Sequence, residues 1–316
     1  MKTDEVVNGV LIKATQPEEG QSYEWPSGVT KIGKKAFYNW KSFNQPFSIP
    51  SGVTKIGDWG FFNWESFNQP FSIPEEVTKI GNDAFSCWKS FNQPFRIPSG
   101  VTKIGNYTFF NWYKFNQPFT IPESVTEIGK YAFSYWLSFN HPFRLPFSVT
   151  KIGDWGFFNW TSFNHPFSIP KRVTSIGDYT FSYWESFNQP FSIPERVTKI
   201  GDYAFSSWNS FNQPFNIPDR VTEIGDAAFA CWDSFNQPFS IPSGVGKIGK
   251  RAFYPWYKFN QPNSRRTKAT NEWLRIDNWV FAGCYSGTLK QLRERLDSGK
   301  STLEREKAWE IISKPL

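Results

Sequence analysis

The stretch FNQPFSIPSGVTKIGDWGFFNWES, residues 43–66, decides the fold, because most of it returns after 24 residues and keeps returning. Ile-Gly stands at Ile32, Ile56, Ile80, Ile104, Ile128, Ile152, Ile176, Ile200, Ile224 and Ile248, and a Trp follows each Ile eight residues later, from Trp40 to Trp256. One copy cannot enclose its own apolar side chains. The copies must therefore stack as turns of a solenoid, each about 4.8 Å above the last, so that like residues form columns.

Each column has an expected role. In Phe47-Ser48-Ile49 the alternation sends Phe and Ile inward and Ser outward, and Pro46 and Pro50 hold that strand very short. Val53 and Ile56 form a second inward pair, and Gly57 marks a corner where a special backbone conformation is expected. Asp58 has N-cap chemistry for a one-turn helix that would direct Phe61 and Trp64 to the core. Asn44, Asn68, Asn92 and their equivalents through Asn260 put one amide on every rung, as a ladder satisfying turn backbone and stacked neighbours would.

Ile193-Pro194 followed by Val197-Thr198-Lys199-Ile200-Gly201-Asp202-Tyr203-Ala204-Phe205 resembles the BspA-like type of leucine-rich repeat, whose pattern ends in a Cys three residues beyond that Phe. Trp208 stands there, whereas the degenerate unit from Ile276 to Cys284 keeps the Cys. The FNQPF element also resembles the FNIP repeats of protists and their giant DNA viruses. The resemblance spans about residues 23 to 284 and implies a curved leucine-rich-repeat solenoid used for binding. The expected fold is β-rich within the α/β horseshoe class, with short parallel strands, one-turn helices and ten 24-residue rungs between caps.

Open solenoid ends expose core and strand edges, so caps are expected. Residues 1–22 contain Val6-Val7-Asn8-Gly9-Val10-Leu11-Ile12, which predicts a β-hairpin cap. Residues 23–262 carry the rungs, with Tyr23-Glu24-Trp25-Pro26 in place of FSIP in the first. Residues 263–316 read as a degenerate rung and a helical hairpin, since Thr288 with Gln291 and Ser301 with Glu304 have capping-box spacing. The first helix would bury Leu289, Leu292 and Leu296, the second Ala308 and Ile312.

The chain has 316 residues, with Phe 34, Trp 16 and Tyr 12, and a net charge of +7. No apolar run suits a bilayer, and MKTDEVVNG lacks the hydrophobic core of a signal peptide, so a cytoplasmic, intracellular setting without membrane insertion is expected. Cys87 and Cys231 share a column six rungs apart, too far for a disulfide. His141 and His165 replace the usual Gln on adjacent rungs, and no further ligands complete a metal shell. No P-loop, nucleophile elbow, zinc motif or dinucleotide fingerprint occurs. Neither catalytic residues nor a cofactor is expected, and Asp58, Asp154, Asp178, Asp202 and Asp226 read as helix caps.

A binding surface should vary where the scaffold stays fixed. One variable column holds Trp59, Tyr107, Tyr131, Trp155, Tyr179 and Tyr203, where Lys35, Asp83, Ala227 and Arg251 stand on other rungs. These aromatics are the candidate binding residues for a protein partner, or alternatively for sugar rings, against the plainer reading that they shield the flank. A basic column, Lys31, Lys55, Lys79, Lys103, Lys151, Lys199 and Lys247, reads first as solubilising charge, then as a site for an acidic protein surface, and last for nucleic acid. A structural or assembly protein is the other class, and ice binding through the Thr54, Thr78, Thr102 column lacks a paired Thr column.

Overall fold

The computed structural model describes residues 4–262, 264–266, 273–276, 278–282 and 285–297. The chain divides into a first unit, Met1–Val173, and a second, Thr174–Leu316.

In the first unit, Asn8 and Gly9, with φ of 50° and 75°, turn strand β1 (Glu5–Val7) back on β2 (Val10–Lys13). Strand β2 runs parallel to β3 (Lys31–Ile32), and β4 (Lys55–Ile56) and β5 (Lys79–Ile80) continue the sheet. Strands β6 (Lys103–Ile104), β7 (Glu127–Ile128) and β8 (Lys151–Ile152) form a second parallel sheet. From β3 to β8 each strand has two residues, paired in register within its sheet, with Ile inward and its neighbour toward water.

The strand is thus one element away from the expected position. Phe47 and Ile49 do point inward and Ser48 outward, but the ladder runs through Lys55–Ile56. Pro46 and Pro50 have no N–H to donate, whereas every residue from Val53 to Gly57 has one.

The expected one-turn helices are turns of another kind. Trp59 and Asn63 adopt positive φ, 54° and 65°, which interrupts any helix. Alternate N–H groups instead reach the following rung: Trp59 N donates to Asn82 O at 2.9 Å, Phe61 N to Ala84 O at 2.8 Å and Asn63 N to Ser86 O at 2.8 Å. Asp58 is therefore no N-cap. Its Oδ1 accepts from Asn82 N at 2.8 Å, Asn82 Oδ1 from Asn106 N at 2.8 Å, and Asn106 Oδ1 from Lys130 N at 2.9 Å. Gly57 does not have positive φ either. A Cβ there would lie 2.7 Å from Gly33 C and 2.8 Å from Lys34 N, so its lack of a side chain permits close rung-to-rung approach.

The core is a stack of rings. Trp64, Trp88, Trp112, Trp136 and Trp160 are fully buried. Trp88, Trp112 and Trp136 stack at 5.8 and 5.7 Å with interplanar angles of 10° and 8°. Phe91, Phe95 and Phe109 meet Trp112 edge-on at 5.0 to 5.2 Å, an arrangement favoured by the ring quadrupoles. Each indole also needs an acceptor. Trp112 Nε1 donates to Phe85 O at 2.6 Å and Trp136 Nε1 to Phe109 O at 2.7 Å, 27 residues back in each case. The Asn ladder forms as expected, with Asn68 N on Asn44 Oδ1 and Asn92 N on Asn68 Oδ1, both at 2.8 Å. At the hairpin end Tyr23 and Trp25 pack against Phe37, and the Tyr23 hydroxyl donates to Asp4 Oδ2 at 2.6 Å. Burial and that carboxylate hold the phenol well above its ordinary pKa.

The second unit repeats the plan with β9 (Ser175–Ile176), β10 (Lys199–Ile200), β11 (Glu223–Ile224) and β12 (Lys247–Ile248) in one parallel sheet. Trp184, Trp208, Trp232 and Trp256 are fully buried. Where a degenerate rung is expected, the chain forms an antiparallel meander of β13 (Ser264–Arg266), β14 (Trp273–Ile276), β15 (Trp279–Ala282) and β16 (Tyr285–Thr288). Ile276 pairs with Trp279, so the Ile keeps its inward place without the parallel register. Phe281 packs on Phe253 at 5.1 Å, and Ser286 Oγ donates to Ile248 O at 2.8 Å. Helix α1 (Leu289–Asp297) opens with the expected capping box, Thr288 N to Gln291 Oε1 at 2.8 Å and Gln291 N to Thr288 Oγ1 at 3.2 Å. It buries Leu292 and Leu296, while Leu289 is only half-buried. The second expected helix, with Ser301, Glu304, Ala308 and Ile312, and also Asn263 and Cys284, lie outside the described residues.

Candidate functional site

The aromatic column sits at the first positive-φ position of each turn. Trp59, Tyr107, Tyr131, Trp155, Tyr179 and Tyr203 have φ between 54° and 61°, a region that costs a residue with a Cβ about 1 kcal/mol or more. Inter-rung bonds hold them there, such as Tyr107 N to Lys130 O at 2.8 Å and Tyr131 N to Asp154 O at 3.1 Å. Within each unit, fixed backbones aim the side chains out of one flank, so neighbours on consecutive rungs can stack.

Within each unit, neighbours in this column stack. Tyr107 lies on Tyr131 at 4.6 Å and 7°, and Tyr131 on Trp155 at 5.2 Å and 11°. In the second unit Tyr179 lies on Tyr203 at 4.5 Å and 7°. Trp59 is not part of either stack, because Asp83 holds its column on the next rung. Lys34 and Lys35 place their ammonium groups 5.0 and 5.6 Å from its ring centre.

Three residues that the column reading misses enlarge the central group. Phe110 meets Tyr107 edge-on at 5.4 Å and Tyr135 at 5.5 Å, and Phe158 meets Tyr135 at 5.2 Å and Trp155 at 4.6 Å. The sequence does carry their signal, a second period of 48 residues: Phe62, Phe110 and Phe158 alternate by rung with Tyr135 and Tyr183. Tyr107, Phe110, Tyr131, Tyr135 and Trp155 are all half-buried, so each offers part of its ring to a partner.

Burial and the adjacent Tyr107 raise the Tyr131 phenol above its usual range, and burial followed by Tyr203 does the same for Tyr179. Both remain neutral hydroxyls that can donate or accept. Stacking covers both faces of Tyr131. A sugar ring seeks a free aromatic face, whereas an irregular protein surface can engage edges and hydroxyls, so the geometry suits the latter.

Asp83, in the same column on the rung between Trp59 and Tyr107, is pushed up to about 6 by burial and by Asp58. The remaining candidates have structural occupations. Asp178 and Asp202 serve the same backbone ladder as Asp58, with Asp202 N on Asp178 Oδ1 at 2.9 Å and Asp226 N on Asp202 Oδ1 at 2.8 Å. Asp154 pairs with Lys130 at 2.8 Å. His141 Nε2 lies 3.1 Å from Asn116 O and His165 Nε2 3.0 Å from Asn140 O, the place taken by Gln69 Nε2 on Asn44 O at 3.2 Å, so each His stands in for Gln. Cys87 and Cys231 are free thiols, and burial raises that of Cys231. No helix among the described residues is long and apolar enough to cross a membrane.

The chain is similar to a leucine rich cell surface protein from Faecalibacterium prausnitzii A2-165, with 22% identity, a TM-score of 0.49, and coverage of 82% of this chain and 88% of that one. It is also similar to the leucine rich repeat protein of T. pallidum, with 20% identity, a TM-score of 0.49, and coverage of 63% of this chain and 92% of the other. No functionally curated protein matches the sequence. The sequence pattern of the BspA type leucine rich repeat region matches residues 18–140, 88–189 and 150–288. With its 24-residue rungs, its two-residue parallel strands and those matches, the chain belongs to the BspA type leucine-rich-repeat family.

Proposed function

We propose that the chain is a non-enzymatic protein-recognition scaffold, and that Tyr107, Tyr131 and Trp155 with Phe110 and Tyr135 form the centre of its contact surface. One observation carries the reading. Trp, Phe, Ile and Asn columns hold the same residue from rung to rung, while the half-exposed aromatics cluster where the rungs differ. Rigid aromatic groups lose little entropy on binding and supply most of the energy of many interfaces. The FNQPF elements and the free thiols of Cys87 and Cys231 support a reducing intracellular setting, such as a host-cell cytoplasm if the FNIP-like character reflects a viral source.

The test compares proteins captured from lysate by the unmodified chain and by a Tyr107→Asn, Tyr131→Asn, Trp155→Asn variant, Asn being tolerant of positive φ. Specific capture should fall about tenfold or more while circular dichroism stays unchanged. Unchanged capture rejects the aromatic surface.

A further inference from the structure

We infer that the lysine-lined cleft of the first unit binds an extended acidic segment of a protein partner. Lys31, Lys55 and Lys79 stand side by side on β3, β4 and β5, in register and exposed. Lys103 occupies the same column on β6. Between this column and the turns, the close-packed glycine corner leaves a cleft. One stretch of about 470 Å³ is lined by Val10, Ile12, Lys31, Lys34, Lys55 and Lys79 among others, and a second of about 710 Å³ by Lys79, Lys103 and Thr102.

The lysines of the cleft exceed its acids and are unpaired. Among the described residues no carboxylate comes within ion-pair distance of Lys31, Lys34, Lys55 or Lys79. The one acid on the wall, Asp58, has an oxygen bound to Asn82 N. Pairing begins only at Lys103, which reaches Glu127 at 2.9 Å. Stacking four lysines at about 4.8 Å costs repulsion that an anion would relieve.

The fold itself does not demand this charge. The equivalent cleft of the second unit has the same strands and corners, yet Lys199 and Lys247 there face Asp178, Asp202, Glu223 and Asp226, and Lys199 pairs with Glu223 at 3.7 Å. Solubility would be served by either sign, so a basic cleft in one unit and an acidic one in the other points to selection for an anion in the first.

Two features favour a peptide over a nucleic acid. The cleft lining carries no aromatic platform on which bases could stack, and the Trp59 indole, outside that lining, has the Lys34 ammonium 5.0 Å from its ring centre. At its β2 end the cleft offers Val10 and Ile12, suited to the methylene groups of Glu. Three rung steps span about 14 Å, which an extended peptide covers in four or five residues, with two or three acids facing the lysines. This inference rests on the chain being a protein-recognition scaffold but not on the aromatic flank.

Fluorescence anisotropy with a labelled peptide of about eight alternating Asp and Glu residues, titrated with the full chain at about 0.02 M and 0.5 M salt, tests it. Binding should appear at low salt and weaken at high salt. A Lys55→Gln, Lys79→Gln variant should lose about tenfold or more, and Lys199→Gln, Lys247→Gln should bind as the unmodified chain does. No peptide binding at low salt, equal loss in both variants, or tighter binding of a thymidine oligonucleotide would each overturn the assignment. Peptide binding that survives in the Tyr107→Asn, Tyr131→Asn, Trp155→Asn variant separates the cleft from the flank.

Discussion

Replacing Trp112 by Phe removes an indole N–H and part of a ring from the middle of the stack. The ring loss alone, in a fully buried site flanked by Trp88 and Trp136, costs about 1–2 kcal/mol. The missing N–H leaves Phe85 O, now its partner at 2.6 Å, without that donor in the core, for a further 1–3 kcal/mol or so. Trp40 supplies the control. It is 4% exposed and stacks on Trp64 at 5.5 Å, but its indole donates to no carbonyl among the described residues. Trp40→Phe should therefore cost only the ring term, and the difference between the variants isolates the bond at about 1–3 kcal/mol. Equilibrium unfolding in urea, followed by far-ultraviolet circular dichroism, measures both. Equal destabilisation at the two sites would refute the claim that carbonyl-bonded indoles, beyond ring packing, fasten each rung to the one below.

Two further outcomes follow from the rung geometry. Asp83 titrates near 6, above its unfolded value, so protonation favours the folded state; the chain should gain stability as pH falls from about 7 through 6 toward 4. Asp83→Asn should abolish that gain and melt higher at pH 7, by about 1 kcal/mol once solvent screening of this half-buried group is allowed for, as thermal denaturation across pH would show. Gly57→Ala should cost about 3 kcal/mol, since its Cβ meets backbone of the preceding rung at 2.7 Å, whereas Gly52→Ala, with nothing within 4 Å, should be neutral or stabilising by about 0.5 kcal/mol. Urea midpoints of the two variants make the comparison.

Stacking, inward columns and the Asn ladder were legible in the sequence because a strict period turns each side chain's neighbour into its own copy. The hydrogen-bond pattern was less so. Alternation places Phe47 and Ile49 correctly, yet says nothing about which backbone carries the ladder. Phe61 and Trp64 are three apart in a helix and also in the observed turn, so spacing alone cannot separate the two. Asn39, Asn63, Asn111 and Asn159 were the available clue, since Asn favours positive φ, and they mark the second left-handed position of the turn. The first position offered no clue. Trp59 and Tyr107 adopt it against their intrinsic preference because bonds to the next rung hold them. The aromatic group was visible as a column, but its lateral spread to Phe110 and Phe158 depended on contacts between neighbouring columns. The antiparallel meander after residue 262 escaped notice because Ile276 to Cys284 retains the spacing of a rung.

The Trp-to-carbonyl bonds reach back 27 residues and the Asn ladder 24, so within each unit a new rung finds its partners on the one made just before it. A nascent chain leaving the ribosome can consequently crystallise onto its own growing end, one layer at a time, with no distant segment still to be synthesised before the first layers become secure.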